Sequence, residues 1–272
     1  MKRIGYLFLG LCTVTAVAAC ETAQSSKLDA KLDDIVARLD KMEKDLQARP
    51  VGAARGQQPR QRMEPDPTKV YAVPIEGAPT KGPEHAKVTL VEAFEYACPF
   101  CERVNGTIEQ LQKDYGNDLK IVYKHFVVHP DVATVPAQAA CAAHKQGKHE
   151  AMSKLIWEKG FKAGRNLARD NMDKLASEAG LDMNRYKADI DGEECKKVIQ
   201  QDQAQMSAVG VQGTPAFYIN GRYLSGAQPI DNFKRIIDEE LKKANERVAQ
   251  GTKVEEYYKK FVIEQGLKKY ER

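Results

Sequence analysis

The chain has 272 residues, 42 of them lysine or arginine and 38 aspartate or glutamate, a formal charge of +4 with neutral histidines. So even a balance gives no electrostatic case for a nucleic-acid partner, and the length suits one globular domain with an insertion and extensions. With six cysteines, the compartment decides whether sulfur is stapled, metal-bound or redox-active.

Residues 1–19 open with Lys2 and Arg3 and run on as "IGYLFLGLCTVTAVAA", ending against Cys20. A charged start, an apolar stretch short for a membrane span and a small-residue end describe an export signal. Val17-Ala18-Ala19-Cys20 resembles the lipobox of bacterial lipoproteins, which implies cleavage before Cys20 and a lipid on its sulfur, anchoring the chain to a membrane. The alternatives are an ordinary secretory signal and a short uncleaved anchor. All three place the rest of the chain in an oxidising space, the periplasm for a lipoprotein. Glu21 leans toward the outer membrane by analogy with enteric bacteria.

Within 20–48, Leu28, Leu32, Ile35, Leu39, Met42 and Leu46 alternate steps of four and three. That seven-residue repeat predicts an N-terminal helix that self-associates as a short coiled coil through residues 26–47. Arg38 and Glu43 fall at complementary flanking positions for a parallel homo-oligomer, with dimer and trimer both open. A helix docked on its own domain is the other reading. Residues 49–68 are rich in Pro, Gly, Gln and Arg and predict a flexible linker. The globular domain is expected over 69–246.

Within it "KVYAVPI" predicts an edge strand, because of its proline, and "AKVTLVEAFEY" a buried central strand. A helix follows with Val104, Ile108, Leu111 and Tyr115 on one face, closing at Gly116. "LKIVYKHFVV" predicts a second buried strand, parallel to the first. A long helical stretch is expected from Pro136 to Ser207, broken at Gly147, Gly160–Gly164, Gly180 and Gly192. "TPAFYINGRYLSG" predicts a hairpin turning at Asn220-Gly221, and Pro229 the first position of a helix bearing Ile230, Phe233, Ile237 and Leu241. Residues 247–272 predict a charged helical extension without an assigned role.

The chemistry gathers at Cys98-Pro99-Phe100-Cys101. Pro99, with no N–H and a preset φ, fits the first helical position and puts Cys98 at the N-cap. There its sulfur meets unpaired N–H groups and the positive end of the helix dipole, which favour thiolate. Cys101, one turn on, is positioned to resolve a mixed disulfide. A zinc site lacks a second close pair: Cys141 and Cys195 are far apart, and His144 and His149 are not at ligand spacing. A permanent staple across two residues would stabilise little. The redox reading needs no metal and no cofactor, since electrons pass through the dithiol.

Gly213-Thr214-Pro215 stands before the strand "AFYI". Strand, CPFC, helix and a distant Thr-Pro together resemble the thioredoxin fold. With a helical insertion over about 135–207, they resemble the bacterial DsbA family, including its Com1-like and oligomeric isomerase-like members. The likeness covers residues 70–245 and rests on "GAPTKGPEHAKVTLVEAFEYACPFC" and "GTPAFYING". It implies an α/β thioredoxin fold with an inserted α-helical domain, preceded here by the short coiled-coil helix. It implies an enzyme, a thiol–disulfide oxidoreductase, forming or isomerising disulfides in exported cysteine-containing clients and recycled by a membrane partner of DsbB or DsbD type.

The same resemblance implies a cis Pro215 opposite the dithiol and Thr214 against the Cys98 sulfur, with Pro99 and Phe100 completing the client site. Glu92, six residues before Cys98, becomes the proton acceptor for Cys101; otherwise it is a strand charge paired with a lysine such as Lys124. Cys141 and Cys195 are expected to form a non-catalytic disulfide rather than two buried thiols. Phe100 stands where the best-known oxidases carry histidine, which implies a less depressed Cys98 pKa and a weaker oxidant. Thr214 leans toward the isomerase-like relatives. Trp157 and the five histidines read as core or surface residues. A non-catalytic chaperone or scaffold lipoprotein on the same fold is the alternative function.

Overall fold

The structure, a computed structural model, describes residues 30–44 and 64–271. The export signal, Cys20 and most of the predicted linker lie outside the described residues. The chain divides into two units, one ending at Gln61 and the other starting at Arg62.

In the first unit residues 30–44 form helix α1. Leu32, Ile35, Val36, Leu39 and Met42 are 52–60 % exposed, so the heptad stripe faces solvent in the single chain. Val36 widens it beyond a strict seam.

The second unit is built on a five-stranded sheet in the order β1-β3-β2-β4-β5. β2 (Val88–Phe94) and β3 (Leu119–His125) pair in parallel at the centre, joined through α2 (Pro99–Tyr115), which closes at Gly116. β1 (Thr80–Lys81), β4 (Ala216–Ile219) and β5 (Arg222–Ser225) are antiparallel additions. All seven residues of β2 are buried, as a strand covered on both faces requires. Val88 and Leu90 pack with Val104, Ile108, Phe217 and Phe233. Val91 and Ala93 point the other way, into Tyr71, Val122, Met206 and Tyr218. That alternation turns Glu92 toward the α2 side.

The insertion comprises α3 (Pro130–His144), α4 (His149–Leu155) running on as a π-helical turn to Lys162, α5 (Arg169–Glu178), α6 (Met183–Asp191) and α7 (Glu193–Ala208). The breaks fall at or beside the predicted glycines. Gly147, Gly164 and Gly180 have φ of 69°, 109° and 73°, values that cost a side-chain-bearing residue strain. The helical stretch starts earlier than expected, since Pro130 holds the first position and Pro136 lies within the helix. Sulfurs of Cys141 in α3 and Cys195 in α7 are bonded, 2.05 Å apart across 54 residues of sequence. In the chain-entropy account a loop of that size stabilises by up to about 4 kcal/mol. The Cys141→Ser/Cys195→Ser protein should therefore melt well below its parent in calorimetry. An unchanged melting temperature would mean that helix packing alone holds the insertion.

Three expectations need correction. The strand predicted at 69–75 forms only isolated bridges, Val70 to Arg222 and Tyr71 to Leu267; the edge strand is β1. Residues 64–68, expected in the flexible linker, form an ordered turn on β5, where Arg222 Nε donates to the Pro67 carbonyl at 3.2 Å and the Ser225 hydroxyl to Glu64 at 2.7 Å. Pro229 caps α8 (Ile230–Ala249) rather than occupying its first turn. The C-terminal extension forms α9 (Val254–Tyr258), a π-helical turn and a tail. The Tyr258 hydroxyl donates to the Val73 carbonyl, and the Tyr270 N–H to the Ala208 carbonyl, so the tail is part of the same unit. Among the described residues no helix is long and apolar enough to cross a membrane.

Candidate active site

β2 delivers the chain into a tight turn, residues 95–98, at the N-terminus of α2. Cys98 is the N-cap, with extended φ −84° and ψ 118°, and Pro99 opens the helix. The Cys101 N–H points at the Cys98 sulfur from 3.4 Å, an unpaired helix-terminal donor facing a group able to carry charge. On the far side the Thr214–Pro215 peptide bond is cis, and the Cys98 thiol donates to the Thr214 carbonyl at 3.3 Å. Cys98 is 4 % exposed and Cys101 fully buried, both as free thiols.

These surroundings split the two thiols. Cys98 is drawn down to about 6, chiefly by the Cys101 thiol donating to it. Burial opposes this, and hydrogen bonding with Thr214 and from the N–H groups of Cys101 and Phe100 assists. Cys101 is pushed far above the ordinary thiol range, first by burial, then by giving its proton to Cys98, then by the charges of Glu92 and Cys98. One sulfur is ionised at neutral pH and the other holds its proton, the asymmetry that exchange chemistry requires.

Glu92 lies beneath, 1 % exposed, its Oε1 without a hydrogen-bond partner among the described residues. Burial, then the charge on Cys98, pushes its carboxyl up to about 8. The alternative of a strand ion pair with Lys124 is overturned: Lys124 Nζ donates to Asp202 Oδ1 at 2.8 Å and to Gln205 Oε1 at 3.1 Å. A cavity of about 160 Å³ runs from Glu92 past Asn105, Tyr123 and His149 to the exposed Glu150 and Glu158. That is room for a few waters between the buried carboxyl and the outside.

Phe100 is 51 % exposed, with the Arg103 guanidinium stacked 4.6 Å above its ring. The charge that Phe100 itself lacks thus returns from one turn further on. Phe100, Arg103, Gln212, Thr214, Pro215 and Tyr223 line a groove beside the dithiol. The geometry thus brings Cys98, Cys101, Glu92, Pro99, Phe100, Thr214 and Pro215 together and keeps the Cys141–Cys195 bond apart, between α3 and α7 of the insertion. Sequence reasoning passed over Arg103, which carries no motif, and also Glu95 and His129. A second carboxylate three residues before the first cysteine, just past the end of β2, was the available sign. Among the described residues no cluster of His, Cys, Asp or Glu has a metal-holding arrangement.

The chain is 33 % identical over 147 residues to a Na(+)/H(+) antiporter NhaA of Herminiimonas arsenicoxydans, a match covering 54 % of this chain and 23 % of that protein. The chain therefore spans about a quarter of the length of the curated relatives it matches. A thioredoxin-like oxidoreductase from Silicibacter pomeroyi superposes with a TM-score of 0.53 at 26 % identity, covering 64 % of this chain and 94 % of that one. Oxidised BdbD from Bacillus subtilis superposes at 0.59 and 24 % identity, covering 64 % and 98 %, a likeness of fold. The sequence model of the family described as a DSBA-like thioredoxin domain matches residues 89–238. With its mixed sheet, inserted helices and the cysteine pair at the head of α2, the chain belongs to that family.

Proposed function

We propose that this chain is a lipid-anchored periplasmic oxidoreductase that makes or rearranges disulfides in exported cysteine-containing proteins. One observation carries the reading: the Cys98 sulfur sits at the N-cap of α2, 3.4 Å from the Cys101 N–H and 3.3 Å from the Thr214 carbonyl before a cis proline. Cys98 is the nucleophile that forms the mixed disulfide and Cys101 the thiol that resolves it, giving up its proton to the ionised form of Glu92, which gains ground once the mixed disulfide removes the Cys98 charge that helps hold the carboxyl protonated. Thr214, Pro215, Pro99 and Phe100 hold the client chain. No cofactor or metal takes part, and a membrane partner of DsbB or DsbD type resets the dithiol. Cys20 carries the lipid, and the outer membrane is the favoured location.

The exposed stripe on α1 supports a homo-oligomer, which sets several dithiols around one client and suits isomerisation more than simple oxidation. The test replaces two stripe residues, Leu32→Glu and Leu39→Glu, and follows assembly by sedimentation alongside ribonuclease refolding. The variant should be monomeric, should still oxidise reduced ribonuclease, and should refold scrambled ribonuclease about tenfold more slowly or worse. If the unaltered protein neither oxidises nor reshuffles ribonuclease, the enzyme reading is wrong, and a chaperone or scaffold role takes its place.

A further inference from the structure

We propose that His129, gripped by the buried carboxylate of Glu95, is a positioning residue that sets a positive charge near the Cys98 thiolate, in a chain whose active-site dipeptide carries none. This rests on the redox reading of Cys98. Glu95 is 1 % exposed and joins two segments. Its carbonyl accepts the Cys98 N–H at 3.3 Å. Its Oε2 accepts the N–H groups of Val128 and His129 at 2.7 and 2.9 Å, and its Oε1 meets His129 Nδ1. The turn that presents Cys98 and the loop that presents His129 are thus held by one residue.

A fully buried carboxylate needs its charge answered, and the imidazole is the ionisable group hydrogen-bonded to it. Nδ1 is bound to Glu95, and the His129 side chain as a whole is 62 % exposed. His129 is raised above the ordinary imidazole value, first by its bond to Glu95, then by that residue's charge and that of Cys98. The charge of Cys98 bears on Glu92 and on His129, that of Glu92 bears on Cys101, and Arg103 stacks over Phe100. His129 is the imidazole among these groups, the side chain type whose charge changes near neutral pH. Below its raised pKa it is cationic and favours the thiolate; above it that help is lost. The client-exchange step itself is unaltered: thiolate attacks disulfide, and the departing client sulfur takes up a proton.

The test is a pH titration of thiolate absorbance at 240 nm on the reduced full chain. In His129→Gln the Cys98 midpoint should rise by roughly half a unit, the scale of one charge acting through a partly solvated gap. Alkylation of Cys98 at pH 5.5 should slow about threefold. His129→Lys, which restores a charge without an imidazole, should keep the midpoint near that of the parent. A folded His129→Gln protein with an unmoved midpoint overturns the proposal, and so does an equal shift in both variants, which would mark a purely structural role. An ordinary thiol midpoint in the parent itself would overturn the redox reading along with it, whereas a low parent midpoint unmoved by His129→Gln defeats only the role of His129.

Discussion

Cys98→Ser is expected to abolish thiol–disulfide exchange, with a loss of at least roughly a thousandfold, because a serine hydroxyl neither ionises near neutral pH nor forms a disulfide. Cys101→Ser should behave differently. Cys98 keeps its N-cap position, its N–H donors and its contact with Thr214, so it still attacks a client. The mixed disulfide then has no thiol beside it for its resolution and accumulates. Non-reducing gels of the Cys101→Ser protein should show client adducts that dithiothreitol removes and that Cys98→Ser lacks. Adducts formed equally by both variants would place the nucleophile elsewhere.

Glu92→Gln carries the second large effect, on rate and stability at once. The carboxyl moves from 4.5 to about 8 in the folded protein, through burial above all. Below pH 4.5 it is neutral in folded and unfolded chains alike and costs nothing. Between about 4.5 and 8 the unfolded chain releases this proton and the folded one keeps it, so stability falls as pH rises through that window and levels off above it. The upper limit of that loss is about 5 kcal/mol, at about 1.36 kcal/mol for each pH unit between 4.5 and 8. A glutamine amide in the same place has no such titration. Glu92→Gln should match its parent near pH 4 and melt of the order of 10 °C higher at pH 8. Its resolving step should slow by about 10²-fold, since Cys101 loses the group that takes its proton. A variant no more stable at pH 8, yet fully active, would show that Glu92 neither resists ionisation nor serves Cys101.

Much of this was legible in the sequence because it rested on local rules. Asn220-Gly221 gives a two-residue turn, with φ of 43° and 81°, because few other pairs adopt that backbone. Pro99 fixes Cys98 as the cap, and the helical breaks follow glycines. Distant partners left no trace. The segment at 69–75 reads as a strand, yet it makes only single bridges, Val70 to Arg222 of β5 and Tyr71 to Leu267, the second a partner that no periodicity announces. β1 is two residues long and too short for a pattern. Pro136 reads as a helix start because proline favours that place, while Pro130 already occupies it. The Glu95–His129 pair joins residues 34 apart and exists only once β2 and β3 lie side by side. Lys124 reads as a partner for Glu92 because the two strands are neighbours. In register Glu92 faces Tyr123, and Lys124 turns to Asp202 on α7.

The most direct measurement follows iodoacetamide labelling of the reduced protein from pH 4 to 9, with mass-spectrometric assignment of each cysteine. Cys98 should label with a half-maximal rate near pH 6, well below an ordinary thiol, while Cys101 stays unlabelled throughout. Labelling of Cys98 only above pH 8, or of both cysteines together, would contradict a helix cap that ionises one sulfur and holds the other protonated.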